Sequence, residues 1–368
     1  LRSNTELRTV DVSRNKLKHL PTLENAHHLE MLSVNSNKLE EMPGISSAAS
    51  IDSLNCGWNE LRSLNLTGPQ YMSTRVLDAR SNQLEWVAGV EGMTSLQRIE
   101  LDWNRLTALS VRLPRTLRHL SVSYNRLTKL ANLGLAPKLV NLKASNNQLR
   151  SVDGLDKMHA LVVCNLEHNN ITSVPSLEAL TSLEILSLGF NALTELGPLH
   201  SKILELLVPG NKLIRLPDLS HMRSLQRLDV SFNDVEVLPS LDRNIELVEL
   251  DVSYNQLTEL PDLSQLHRLG LLYANSNHLF ALPPLASTVV NEICVQDNQI
   301  QELPDFRGYE FLRTLACSGN PLRKLPPNPN SCDCCEDTPG TERTLPANAC
   351  DHPSLPFGRR RRPIALHT

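Results

Sequence analysis

No apolar run in this 368-residue chain approaches the ~18 residues of a helical membrane span, so no such span is expected. An excess of one charge is also missing. Lys and Arg total 36 against 40 Asp and Glu, a mild net charge of −4 that gives no whole-chain case for nucleic acid or a membrane surface. Catalytic signatures are absent: there is no P-loop, Gly-x-Ser-x-Gly elbow, His-Glu-x-x-His or dinucleotide glycine pattern. The chain therefore reads as a non-enzyme, with no cofactor, metal or small-molecule substrate implied. Leu1 brings neither an initiator Met nor a signal peptide, which suggests a mature product or a fragment. Aromatics are scarce, at 3 Trp, 5 Tyr and 6 Phe, so where they fall is informative.

What the chain has instead is self-similarity. Residues 228–241 read LDVSFNDVEVLPSL and residues 250–263 read LDVSYNQLTELPDL. One asparagine recurs as Asn15, Asn37, Asn59, Asn82, Asn104, Asn125, Asn147, Asn169, Asn191, Asn211, Asn233, Asn255, Asn277, Asn298 and Asn320, fourteen steps over 305 residues and a mean period close to 22. Positions two and five after it are aliphatic throughout. Position five before it is aliphatic except at Cys164, and position three before it is Val, Leu, Ala or Cys. The segment ahead of each asparagine alternates with period two, as in Leu228-Asp229-Val230-Ser231, and reads as a short strand. A repeat this short buries its leucines only against its neighbours, so the repeats must stack as a solenoid. Strands in parallel at ~4.8 Å make fifteen coils roughly 70 Å long. The asparagine stands where the chain leaves the strand. Its amide both donates and accepts, and so can satisfy turn backbone groups that would otherwise be buried without partners.

The pattern Leu-x-x-Leu-x-Val-x-x-Asn-x-Leu-x-x-Leu-Pro-x-Leu resembles the leucine-rich repeat family over about residues 7–326. Its period is similar to the short class typified by the leucine-rich regulator of protein phosphatase 1, and bacterial surface and effector proteins have similar repeats. The resemblance implies an α/β-type repeat solenoid, a horseshoe with a parallel sheet on the concave face. With 22 residues, the convex side has room only for turns or short 3-10 segments. The proline six after the asparagine in nine repeats, from Pro21 to Pro326, agrees with this.

Two steps depart from the period: 23 residues from Asn59 to Asn82, and 20 from Asn191 to Asn211. The second contains Pro209, which cannot donate to a sheet ladder, so a kink or break is expected near coil ten. Residues 1–6 are too short to cap the first coil, and a cap is expected upstream. Residues 327–368 form a separate Cys- and Pro-rich segment with Cys332, Cys334, Cys335 and Cys350 and a basic run, Arg359 to Arg362. Three readings stay open for it: a disordered tail, a disulfide-bonded cap vaguely like that of extracellular leucine-rich repeat proteins, or a zinc site that would include His352.

Side chains six, four, two and one before each asparagine should be exposed on the concave sheet. Of these sixty positions, eleven are acidic and five are Lys or Arg, a net of −6. The bias sharpens over coils ten to fourteen, where Glu205, Asp229, Glu249, Asp251, Glu292 and Asp297 share the rows with Arg227 alone. The position before the asparagine holds Trp58, Trp103, Tyr124, His168, Phe190, Phe232 and Tyr254, with Tyr273 nearby. Aromatics among charges have the composition of a protein-binding surface, whereas each ring taken alone could simply cover the adjacent turn. The expected partner is a protein with a basic patch, bound by a monomer. Two alternatives are the recognition arm of a larger signalling enzyme, such as a phosphatase or ubiquitin ligase, and an extracellular adhesion or receptor ectodomain. Sequons occur at Asn65 and Asn170. Cys56, Cys164 and Cys317 should point inward and Cys294 should be an exposed thiol, and unpaired thiols favour an intracellular compartment.

Overall fold

Each repeat spends three residues on a strand and most of the rest on turning. The computed structural model describes residues 4–109, 112–131, 133–285 and 289–324. One strand per coil, from Thr9–Asp11 to Thr314–Ala316, pairs in parallel with its neighbours in chain order, and the fifteen make one continuous sheet. Equivalent repeat positions sit side by side, as in Glu205 beside Arg227 and Leu206 beside Leu228. The middle residue of each strand points into the solenoid and the outer two point to the concave side.

The core is a leucine column in each coil. In coil eleven Leu228, Val230, Val235 and Leu241 are fully buried. Burying one such side chain is worth about 1.5–3 kcal/mol, and here most of that burial is supplied by the coils on either side. Among the described residues there is no α-helix. The helical part is reduced to 3-10 turns at Pro69–Tyr71, Val90–Gly92, Leu133–Leu135 and Leu155–Lys157.

The long step is absorbed after the asparagine. There Ser63–Asn65 pairs with Trp86–Ala88 in a separate two-stranded sheet, and Pro69–Tyr71 adds a turn. The short step does not break the main sheet, contrary to the expectation from Pro209. Glu205–Leu207 stays paired on both sides. In this coil the ladder donors are the amides of Val208 and Gly210, to Asp229 and Ser231 at 2.8 and 2.9 Å. The position two before the asparagine owes the ladder no N–H, so proline is tolerated, and the Pro209 carbonyl still accepts from Phe190.

Candidate protein-binding face

The asparagines join coils as well as closing turns. The Asn233 amide donates to the Val230 carbonyl of its own coil at 2.9 Å and to the Val208 carbonyl of the preceding coil at 3.0 Å. Its carbonyl oxygen accepts the Leu213 amide, also from the preceding coil, at 3.0 Å. The same three-way bridge runs from Asn37 to Asn320, except that Asn15, in the first coil, bonds only to its own turn. These groups are buried in the middle coils, where no water can substitute.

The residue before each asparagine lies in the left-handed region. Thirteen non-glycine residues do so, with φ between 52° and 58°, including Trp58, Trp103, Tyr124, His168, Phe190, Phe232 and Tyr254. Glycine adopts this conformation without cost, and Gly210 and Gly319 take the place in coils ten and fifteen. A bulky ring there works against the backbone preference by about 1–2 kcal/mol, so the rings are not turn formers. They stack in pairs across neighbouring coils. Trp103 lies on Tyr124 with centroids 3.7 Å apart and planes 7° apart. His168 lies on Phe190 at 4.4 Å, and Phe232 on Tyr254 at 4.2 Å. Arg80 covers Trp58 at 5.3 Å. A Cβ on Gly210 would meet the Phe190 ring at 2.6 Å, so the glycine also leaves room for that ring. Trp58, Trp103, Tyr124 and Tyr254 remain exposed, whereas Phe190 and Phe232 are half-buried.

The position four before the asparagine has a backbone task that the sequence reading missed. Asp11, Asn55, Asp78, Asn165, Asp229 and Asp251 each accept the amide two residues on, the one the ladder leaves over, at 2.9 to 3.3 Å. Asp229 also accepts the Ser231 hydroxyl at 2.7 Å. These side-chain oxygens, four carboxylate and two amide, lie against their own strand. Asp229 is 4% exposed and Asp251 0%, so they are not the open surface charges that alternation implied. Ser231 is buried as well. Glu249, half-buried, faces Arg227 at 3.2 Å. Glu205 and Glu292 are half-buried and Asp297 is exposed.

Tyr273 is likewise not an exposed anchor. At 7% exposure it packs with Cys294 and Ala316, its neighbours in register, in a second small apolar cluster with Leu271 against it. Cys294 is fully buried there and disulfide-bonded, not the exposed unpaired thiol expected, whereas Cys56 and Cys164 are buried free cysteines. Equivalent side chains on adjacent strands stand only ~4.8 Å apart, so an apolar run at this position closes over itself. Burial pushes the Cys56 and Cys164 thiols up to about 12.

Coils four to seven are charged differently. Arg80 bridges Asp78, at 2.9 Å, and the buried Glu100, which Arg98 also holds. Asp102 accepts the Ser121 hydroxyl and the Ser123 amide, both at 2.7 Å. The stacked pairs were missed as pairs, although the signal was present: aromatic or imidazole rings before the asparagine fall in consecutive coils. The tail cysteines Cys332, Cys334, Cys335 and Cys350, with His352 and Arg359 to Arg362, lie outside the described residues. Among the described residues no His, Cys, Asp or Glu cluster is arranged to hold a metal, and no helix is long and apolar enough to cross a membrane.

A family model described as leucine-rich repeat matches residues 221–237. Among solved structures, YopM from Yersinia enterocolitica is 30% identical, covering 88% of this chain and 72% of its own, with a TM-score of 0.75. YopM from Yersinia pestis, described as a leucine-rich effector protein, is 27% identical over 89% of this chain and 87% of its own, at a TM-score of 0.73. A leucine-rich repeat protein of Leptospira interrogans is 25% identical over 87% of this chain and 92% of its own, at 0.72. No curated protein sequence matches. With its register of asparagines, its continuous fifteen-stranded parallel sheet and these likenesses, the chain belongs to the leucine-rich repeat family.

Proposed function

We propose that this chain is a non-enzymatic scaffold that binds a protein on its concave side, as a monomer, with exposed rings as anchors and the acidic coils ten to fourteen as an attracting field. The observation that carries the reading is the set of rings held in left-handed backbone. Trp103 is 56% exposed and Tyr124 41% at positions where glycine is the cheap choice. Keeping large rings there serves contact area, and a stacked ring loses little further freedom when a partner covers it. Carboxylates that are half-buried in a concave wall still project their field into it, which favours a partner with a basic patch.

The test uses an oligo-arginine peptide as a probe, with affinity read by anisotropy at low and high salt. The Glu205→Lys/Glu292→Lys variant leaves Asp229 and Asp251 on their backbone amides, so it should fold normally. Its affinity should drop about tenfold at low salt, with a smaller drop at high salt, where screening acts within ~8 Å. Undiminished binding by the folded variant at both salts would refute the acidic field. A separate Trp103→Ala/Tyr254→Ala variant tests the anchors, and unchanged affinity would remove them from the site.

A further inference from the structure

The concave side has a second chemistry that the acidic coils do not use. Over coils four to seven lies a cleft of about 180 Å³, lined among others by Arg98, His119, Asn141 and Lys143. Strand register sets Arg98, His119 and Asn141 in one row across three adjacent strands, and sets Lys143 beside Ser121 in the next. The two carboxylates in the cleft are committed internally. Glu100 is buried between Arg80 and Arg98, and Asp102 is held by Ser121 and Ser123. Among the described residues, the side chains of His119, Asn141 and Lys143 have no hydrogen-bond or ion-pair partner. What faces the opening is thus a set of donors beside two carboxylates that are already engaged, Glu100 by two guanidiniums and Asp102 through one oxygen by Ser121 and Ser123.

We infer that this cleft is an oxyanion site, taking a carboxylate or phosphoryl group presented by an acidic segment of a polypeptide. A row of donors ~4.8 Å apart with an ammonium beside it matches a group bearing several acceptor oxygens. The electrical surroundings agree. Partial burial holds the His119 imidazole below its ordinary value, and Arg98, Arg118 and Lys143 add to that. An anion between them offsets the cations and returns the imidazole toward protonation, which adds a charged donor to the site. The site uses coils other than the acidic ones, so it stands or falls separately from the basic-partner reading. If both hold, the bound segment has a fixed polarity, acidic end toward coils four to seven.

The experiment follows the His119 ring signals by NMR in the full chain during pH titrations, alone and with inorganic phosphate or a hexaglutamate peptide. Both ligands should move the His119 midpoint upward. Lys143→Gln, an exposed substitution, should weaken each by about tenfold, and Lys202→Gln, an exposed lysine outside the concave rows, should change neither. If neither ligand moves His119, or if Lys143→Gln binds as the parent does, the site is refuted. Binding of phosphate without the peptide would overturn the polypeptide as its source.

Discussion

Coils four to seven and coils ten to fourteen are built on one repeat with one register, yet the concave rows of the first are balanced in charge and those of the second are acidic. In the first group Asp78 and Glu100 are enclosed by Arg80 and Arg98, and the donors of His119 and Lys143 are left facing out. In the second, six acidic residues share their rows with Arg227 alone. The backbone does not notice. Asp78 and Asp229 accept equivalent amides, at 3.2 and 3.1 Å, in the two regions. The repeat therefore separates two jobs. Asparagine, leucine and, in six coils, the Asp or Asn four before the asparagine hold the coil, while the other concave positions, Lys143 among them, take either sign.

The harshest test of that separation is to cut the ladder in each region. Asn104→Ala and Asn255→Ala each leave one buried amide without its acceptor and take one of the two asparagine donors from each of two buried carbonyls. Each should cost about 3 kcal/mol in urea unfolding. A large inequality would mean that the scaffold, and not only its surface, differs between the regions. Next in size, Arg98→Met leaves the buried Glu100 with Arg80 alone. A loss of about 1–2 kcal/mol is expected, reduced by the partial exposure of the arginine. In coils ten to fourteen, Glu205→Gln should stay within about 0.5 kcal/mol of the parent.

Smaller effects address the rings. In a double-mutant cycle Trp103 and Tyr124 should couple by about 0.5–1.5 kcal/mol, and Phe232 with Tyr254 by a similar amount. Trp103→Gly should be more stable than Trp103→Ala by about 1 kcal/mol, because glycine removes the left-handed penalty at φ 58°. The smallest effect concerns Glu167, between the two regions. Burial raises its pKa above the ordinary carboxylate value. The folded state then holds a proton that the unfolded state has released, so stability falls as pH rises from the unfolded to the folded value and levels off above it. Glu167→Gln should raise the melting temperature at pH 7. The gain should shrink as pH is lowered through the folded value, and a constant gain would mean that charge burial is not its cause.

Much of the fold was legible in advance because its cause is periodic. A 22-residue step with inward residues at fixed offsets leaves a stack as the only way to bury leucine, and Asn233 needed only its offset to be recognised. The site was less legible because exposure is not periodic. Alternation put Asp229, Asp251, Tyr273 and Cys294 on the concave side, and each is in fact buried. Pro209 misled for a related reason: which amide the ladder uses at that offset is a property of paired coils, not of the residue.

The sequence by itself determined the coil count, the parallel register, the inward leucines, the asparagine at each turn and the acidic bias of the later coils. Each follows from a regular spacing and from short-range sterics that repeat in every coil. Only the tertiary structure decided that the rings before the asparagines stack in pairs, that aspartates bind leftover amides, and that His119 and Lys143 face one cleft. The aspartate contacts span only two residues but use the amide that pairing with the next coil leaves over, and the other two outcomes depend on contacts between residues some 22 positions apart, where rotamer, burial and neighbouring charge are set jointly by adjacent coils.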